Sequence, residues 1–282
     1  MTLPQPPGPT TTACYRHPGR EAGRRCTRCG RPACTECLVQ AAVGSHCLEC
    51  AKASRPTISA RAHYWNARQI TLVTYAVMAI NIAVFVWIAI EDSSSISGRQ
   101  GVTREQFDLG LFGVAIEQGE WWRLITSGFL HFGIIHIAFN MLLLFQLGQL
   151  LEPAIGRVRF ALLYVAALLG GSAGALILQP GEFHGGASGA VFGLMGAAAI
   201  GMHLRGVNPF STGIGSVLLI NLFITFTLPG ISIGGHLGGI VAGGLAGAVV
   251  LAPTWKGVPV WATYVAPIAV MAIAVGVSFA VA

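Results

Sequence analysis

Charge is what this sequence has least of. Only 10% of its 282 residues are Asp, Glu, Lys or Arg, where a soluble domain carries about a quarter. That scarcity excludes an ordinary soluble domain. Together with 54% apolar residues and 37 glycines, it is the composition of a polytopic membrane protein. Cysteine is missing after Cys50, so no disulfide or thiolate-bound metal can belong to the rest of the chain. None of the long apolar runs contains an Asp or Glu, which removes a carboxylate from any chemistry done inside them. Met1 to Thr12 are rich in Pro and Thr and lack an apolar core segment, which excludes a secretory signal there. Residues 1–12 are expected to be a disordered leader that stays on the cytosolic side.

The positive charge that is present is gathered at one end. Ten of the seventeen Lys and Arg residues precede Ile70, so the pI near 9.2 describes the N-terminal segment and not the whole molecule. The excess serves membrane orientation better than nucleic-acid binding. Arg16, Arg20, Arg24, Arg25, Arg28 and Arg31 nevertheless keep a nucleic-acid partner open beside a cytosolic protein partner.

All seven cysteines fall between Cys14 and Cys50, as Cys14-x-x-His17, Cys26-x-x-Cys29, Cys34-x-x-Cys37 and Cys47-x-x-Cys50. With His17 they make eight ligands, enough for two closed tetrahedral zinc sites. A disulfide framework is the alternative. It needs an oxidising compartment and fits an odd cysteine count badly. Ligand pairs this close usually alternate between metals, which puts Cys14, His17, Cys34 and Cys37 on one zinc and Cys26, Cys29, Cys47 and Cys50 on the other. His46, beside Cys47, is an alternative ligand. The spacing resembles the B-box type of zinc-binding domain, which implies an interaction module over residues 13–51 with two structural Zn2+ ions. Residues 52–69, with Lys52, Arg55, Arg61 and Arg68, then read as a basic linker that would lie against an anionic leaflet.

Hydropathy predicts seven spans of about 20 residues each: Ile70–Ile90, Ile134–Leu151, Phe160–Leu178, Ser188–Leu204, Ile214–Leu228, Gly234–Ala252 and Val260–Ala282. A cytosolic N-terminus places Arg157, Arg159, Arg205 and Lys256 in inner loops, and Glu91, Asp92, Asp108, Glu117, Glu120 and Glu182 in outer ones. Every short inner loop is then basic, as the positive-inside rule requires. Arg99 and Arg104 lie in the long first loop, which counts little. The C-terminus is expected outside.

That topology has a consequence for depth. Spans four and six run the same way, so Ser188 and His236 lie at the same outer end and can meet. Gly189, Gly193, Ala197 and Gly201 recur every four residues on one span, and Gly235, Gly239, Gly243 and Gly247 on the other. Small residues at that spacing let two backbones pack closely. Span two runs inward as well, and its outer half carries His136 and Asn140 one turn apart, on one face. Polar side chains there are costly in lipid and should face the bundle interior.

Taken as a set, Trp122-Arg123, His131-x4-His136-x3-Asn140, Glu152-x3-Gly156-x2-Arg159-Phe160, Gly186-Ala187-Ser188-Gly189 and His236-x2-Gly239-x3-Gly243 resemble the rhomboid family of intramembrane serine proteases. The resemblance covers about Ile70 to Ala252. It implies an all-α polytopic membrane protein with a six-helix core over 70–252, here followed by a seventh helix in 253–282. It also implies a Ser188–His236 dyad cleaving transmembrane segments of other proteins, with no metal or cofactor in catalysis. By the same resemblance His136, Asn140 and the Ser188 N–H form the oxyanion hole, and Phe192 packs on the base where some relatives have Tyr. Span five, with Asn221 and Pro229, is then the lateral gate.

Elementary chemistry is consistent with those roles. A serine needs a base to take its proton, and a neutral imidazole does this near pH 7. With no carboxylate in the spans, a dyad is expected and not a triad. Ser188 opens a helix, so its N–H has no intrahelical partner and the helix dipole favours an anion there. Ala190 stands where the esterase nucleophile elbow has glycine. Gly181, His184, Gly185 and Gly186 would form a flexible mouth, beside which His131 and His184 read as solvated or structural groups before lining residues, and Trp121, Trp122 and Arg123 would anchor at the outer interface. Two other functions remain. A non-catalytic rhomboid-like binder would lack the Ser or the His. A channel or transporter would show two related halves, and no such repeat is visible.

Overall fold

The structure, a computed structural model, describes residues 12–41, 43–53, 71–98 and 101–282. The leader expected over 1–12, nearly all of the 52–69 linker with Arg55, Arg61 and Arg68, the span start at Ile70, and Arg99 lie outside the described residues, Thr12, Lys52 and Ala53 excepted. The chain divides into two compact units, Met1–Trp65 and Asn66–Ala282.

Among its described residues the N-terminal unit has two antiparallel ribbons and one short α-helix. Strand β1 (Arg24–Arg25) pairs with β2 (Pro32–Ala33), and β3 (Leu38–Gln40) with β4 (Ser45–Cys47), which leads into α1 (Leu48–Ala53). Its buried apolar cluster consists of Cys14, Ala33, Cys34 and Cys37, with Tyr15 and Leu38 packed alongside. Such a core is too small to hold a fold of this size by apolar burial alone.

The described residues of the second unit form helices joined by turns and loops. Its seven main helices are α2 (Leu72–Glu91), α6 (Ile134–Ile155), α7 (Arg157–Leu178), α8 (Ser188–His203), α9 (Ile214–Thr227), α10 (Ile233–Val250) and α11 (Ala262–Val281). Between α2 and α6 lie three short helices, α3 (Arg104–Leu109), α4 (Gly113–Glu117) and α5 (Arg123–Thr126). Thr103 and Gln106 start α3 with a reciprocal capping box.

Five of the seven, α2, α6, α7, α10 and α11, are long and apolar enough to cross a membrane, which makes this a multi-pass membrane protein. The other two are shorter, α8 with 16 residues and α9 with 14, and both match the expected spans to within one residue. A 16-residue helix measures about 24 Å, short of a hydrocarbon core of about 30 Å. The reason is visible in the packing of α8. Residues Ala190 to Ala198 are all buried, so the helix is lined by protein and not by lipid. Irregular backbone at membrane depth is tolerated in that setting.

Helix α10 lies against both α7 and α8, α11 packs on α7, and α9 touches its neighbours least. The glycine stripe makes the central contact. A Cβ on Gly239 would lie 2.0 Å from the Gly189 carbonyl oxygen, and one on Gly243 would lie 2.1 Å from that of Gly193. The two backbones therefore touch, and any side chain at either position would push α10 off α8. At the other end of the bundle, the buried Glu152 carboxylate accepts from Val73 N–H (3.0 Å), Thr74 N–H (2.8 Å) and Thr74 Oγ1 (2.7 Å). It caps the start of α2, whose first N–H groups have no helical partner.

Candidate active site and metal centres

Ser188 is the first residue of α8 and is half-buried. The chain reaches it through Gly186, whose φ of 134° lies in a region that L side chains avoid. The Gly186 N–H donates to the Ser127 carbonyl at 2.8 Å, which holds the turn in place. A Cβ on Gly186 would lie 2.9 Å from His136 Cε1, 3.0 Å from His136 Nε2 and 3.6 Å from Ser188 Oγ. The imidazole of His136 and the hydroxyl of Ser188 thus converge on the open side of one glycine.

A backbone N–H sets the tautomer of His136. Nδ1 of His136 accepts from Phe132 N–H at 3.2 Å, so the proton of the neutral ring sits on Nε2, the nitrogen beside Gly186. One turn along α6, the buried Asn140 gives one amide proton to the His136 carbonyl at 3.0 Å and keeps a second. His136 and Asn140 therefore each hold a donor at the Ser188 end of the bundle.

His236 is buried in the first turn of α10, which Ser232 caps by accepting from Gly235 N–H at 3.1 Å. Its ring stacks on Phe192, with centroids 3.9 Å apart and planes 16° from parallel. Phe192 follows Ser188 by four residues, so the two share a face of α8. This stack brings His236 to the serine's side of the bundle. Ser188 and His236 form no hydrogen bond with each other, and such pairs are commonly looser without substrate. His236 Nδ1 instead lies 2.7 Å from Thr225 Oγ1, on α9. Sequence reasoning missed Thr225.

The surrounding loop departs from expectation in one respect. Trp121 and Trp122 are exposed, as interfacial anchors would be, but Arg123 is 5% exposed. Its guanidinium bonds to Glu120 and to the carbonyls of Phe107 and Gly110, and it lies 5.8 and 5.0 Å from the ring centres of Phe107 and Phe112. It holds the loop together from inside. A buried arginine with that many acceptors is satisfied where it lies, and only its neighbours face outward. His131 is buried and packs on His136 with ring centroids 5.0 Å apart. Burial, helped by His136, pushes its pKa down to about 3. His184 Nε2–H donates to the Gln179 carbonyl at 2.8 Å, and burial lowers its pKa as well.

In the N-terminal unit the ligand atoms of Cys14, His17, Cys34 and Cys37 lie within 4.8 Å of one another, as do those of Cys26, Cys29, Cys47 and Cys50. Either group could hold a metal ion. His46 belongs to neither group and pairs instead with Val39 across the β3–β4 ribbon. His17 Nδ1 is 3.5 Å from the Sγ atoms of Cys34 and Cys37 and 4.0 Å from that of Cys14, and Cys29 Sγ is 3.7 Å from Cys47 Sγ. A tetrahedral ion with sulfur at about 2.3 Å and nitrogen at about 2.0 Å separates its ligands by about 3.5 Å (S to N) and about 3.8 Å (S to S). The donors fit that tetrahedron. None of the seven cysteines is in a disulfide, and the Cys29–Cys47 sulfur separation far exceeds a disulfide bond of about 2.05 Å.

Comparison with known proteins adds to this geometry. Residues 118–253 match the rhomboid domain, a segment that runs from α5 to the end of α10. The chain is 35% identical to "Rhomboid protease GluP" of Bacillus subtilis (strain 168) over 187 residues, 64% of this chain and 35% of the relative. It is 30% identical to "Putative rhomboid protease YdcA" of the same organism over 171 residues, 59% of this chain and 82% of YdcA. "RHOMBOID-like protein 4" of Arabidopsis thaliana is 34% identical over 140 residues, 48% of this chain and 36% of its own. The chain thus spans about a third of the length of two of these relatives and most of the third. A match over four fifths of YdcA, on helices that gather Ser188, His136, Asn140 and His236 at one end of the bundle, places this chain in the rhomboid family.

Proposed function

We propose that this protein is an intramembrane serine endopeptidase that cleaves transmembrane segments of other membrane proteins, with Ser188 as nucleophile and His236 as general base. The observation that carries the proposal is the convergence of the His136 imidazole and the Ser188 hydroxyl on Gly186, with the His236 ring stacked on Phe192 on the face of α8 that bears Ser188. His136 turns an N–H toward Ser188, and His236 keeps Nδ1 occupied, which frees Nε2 to take a proton. In the reaction Ser188 Oγ attacks the scissile carbonyl as its proton passes to His236 Nε2. The oxyanion takes hydrogen bonds from the Ser188 N–H, His136 Nε2–H and Asn140 Nδ2–H. His236 then returns the proton to the departing amine, and water hydrolyses the acyl-enzyme by the same path. Substrate enters sideways past α9, the helix with least packing against the bundle.

The test is cleavage of a model transmembrane substrate by the intact protein reconstituted in liposomes. Absence of cleavage, or cleavage that persists in Ser188→Ala, would sink the proposal in favour of a membrane-protein binder. The oxyanion donors make a finer prediction. His136→Ala and Asn140→Ala are each expected to lower kcat by about 10²- to 10³-fold with little change in KM, because the donors act on charge that appears only in the transition state. A rise in KM at constant kcat would instead assign them to substrate binding.

The N-terminal unit, on this reading, holds two structural zinc ions with no open coordination position and serves as an interaction module for a cytosolic protein. That places the N-terminus in the cytosol and the end of α11 outside the cell membrane, with Arg157, Arg159, Arg205 and Lys256 on the inner side. A reporter fused after Ala282 should read as extracytoplasmic. A cytosolic signal would reverse the topology.

A further inference from the structure

Thr225 is the one buried side chain of α9. Every residue of that helix is described, and apart from Gly215 and Thr225 all are half-buried or exposed, with Leu219, Ile220, Phe223 and Phe226 turned outward. Ile214, Leu218 and Leu222 pack half-buried against the core, and the one fully buried side chain of the helix ends on the imidazole of His236, 2.7 Å from Nδ1.

We propose that Thr225 is the positioning residue of the catalytic base: its hydroxyl oxygen accepts the Nδ1 proton of His236 and so presents the unprotonated Nε2 to Ser188. This rests on the assignment of Ser188 and His236 as nucleophile and base.

Two contacts fix the direction of the bond. Thr225 Oγ1 lies 2.7 Å from the Asn221 carbonyl oxygen and 2.7 Å from His236 Nδ1. A carbonyl can only accept, so the single hydroxyl proton goes to Asn221. The hydroxyl oxygen keeps only lone pairs for Nδ1, which must bring its own proton. A neutral imidazole protonated on Nδ1 has its lone pair on Nε2, the form a general base requires. The carboxylate that does this in soluble triads has no counterpart in these helices, and a threonine backed by a carbonyl stands in its place. The Phe192 stack fixes the plane of the ring but leaves its tautomer open. The hydroxyl decides the tautomer.

A purely structural role accounts for only half of this geometry. Threonine in an apolar helix commonly hides its hydroxyl on the carbonyl four residues back. Thr227, on the same helix, does so with Phe223 at 2.8 Å while remaining exposed. Thr225 makes that bond and a second one to another helix, with almost no exposure (1%). Because the acceptor sits on α9 and not on α10, the orientation of the base depends on where α9 stands.

The experiment compares full-length wild type, Thr225→Val and Thr225→Ser in the liposome cleavage assay. It also reads the tautomer of His236 from the ¹⁵N imidazole resonances of detergent-solubilised protein, assigned by their loss in His236→Gln. Thr225→Val is expected to lower kcat about tenfold with KM changed by less than about twofold. Thr225→Ser, which keeps the hydroxyl, should restore most of the rate. Nδ1 of His236 should be protonated in wild type and Thr225→Ser, and the Nε2–H form should appear in Thr225→Val. Wild-type kcat in Thr225→Val, or an unchanged Nδ1–H tautomer there, would overturn the role of Thr225 and leave the dyad standing. Cleavage missing from the intact protein, or surviving Ser188→Ala, would remove the dyad instead, and the tautomer would still decide for or against Thr225. Equal loss of rate and of thermal stability in both variants, with the tautomer unaltered, would reduce Thr225 to packing.

Discussion

Ser188→Ala is expected to lower kcat for a transmembrane substrate by at least about 10⁴-fold, His236→Ala to do the same, and the double variant to be no worse than either alone. The size follows from what each change removes. Without the hydroxyl there is no acyl-enzyme. Without the imidazole, the hydroxyl keeps its proton and remains a weak nucleophile. Nucleophile and base act in one step, so losing one makes the other idle, and in soluble serine proteases the combined loss is about that of the worst single change. The residual rate is what the oxyanion donors and substrate binding supply alone. KM should move little, since neither group holds the substrate in its ground state. The measurement is single-turnover cleavage in liposomes, with a fluorophosphonate label on wild type and His236→Ala as a second readout. Labelling should need both residues. Losses that multiply in the double variant would mean that the two side chains act independently, and the dyad would fall.

The short α8 gives that chemistry its setting. A helix of 16 residues enclosed by α7, α10 and the loop before α6 is shorter than a hydrocarbon core is thick. The dipole of its first turn, with N–H groups that have no helical partner, is then directed at a site walled by protein. Electrostatic stabilisation is worth more in such a low-dielectric site than in water. The glycines of α8 and α10 serve the same end, since only backbone contact at Gly189 and Gly239 lets His236 approach the face that bears Phe192 and Ser188.

Much of this was legible in the chain because lipid makes polarity conspicuous. His136, Asn140, Ser188 and His236 are isolated polar residues in long apolar runs, and orientation alone puts them at one end. The alternating membership of the two metal groups was legible for a similar reason, since pairs of ligands separated by two residues leave few ways to close two tetrahedra. Thr225 was not legible. A threonine in an apolar helix looks self-satisfied, because its hydroxyl can bond one turn back, and nothing in the sequence says that its other lone pairs face another helix. Arg123 was misplaced for a different reason. Two tryptophans beside it carry the signature of the membrane interface, and the carbonyls that collect its guanidinium come from residues 13 to 16 positions away.

Removing the metal is expected to unfold the N-terminal unit and leave the helical unit intact. The buried cluster of that unit is Cys14, Ala33, Cys34 and Cys37, so three of its four members are also members of one ligand group. Without an ion the thiols do not attract one another, and the remaining ribbons of two or three residues have no sheet to lean on. Structural zinc in comparable modules contributes about 10–16 kcal/mol of apparent binding free energy at neutral pH, and that binding free energy is folding free energy. Elemental analysis of the purified full chain should find two zinc ions per molecule. After treatment with a strong chelator, the seven cysteines should become open to alkylation and the first 65 residues to protease, while the helical unit keeps its melting temperature. Cys14→Ser and Cys26→Ser should each lower the metal content by about one, because they sit in different groups. A ratio well below two, or cysteines that stay protected after the metal is gone, would remove zinc as the element that holds the unit together. A single substitution that emptied both groups would show instead that the two sites fold as one, which the shared segments between Cys14 and Cys50 permit but the separate tetrahedra do not require.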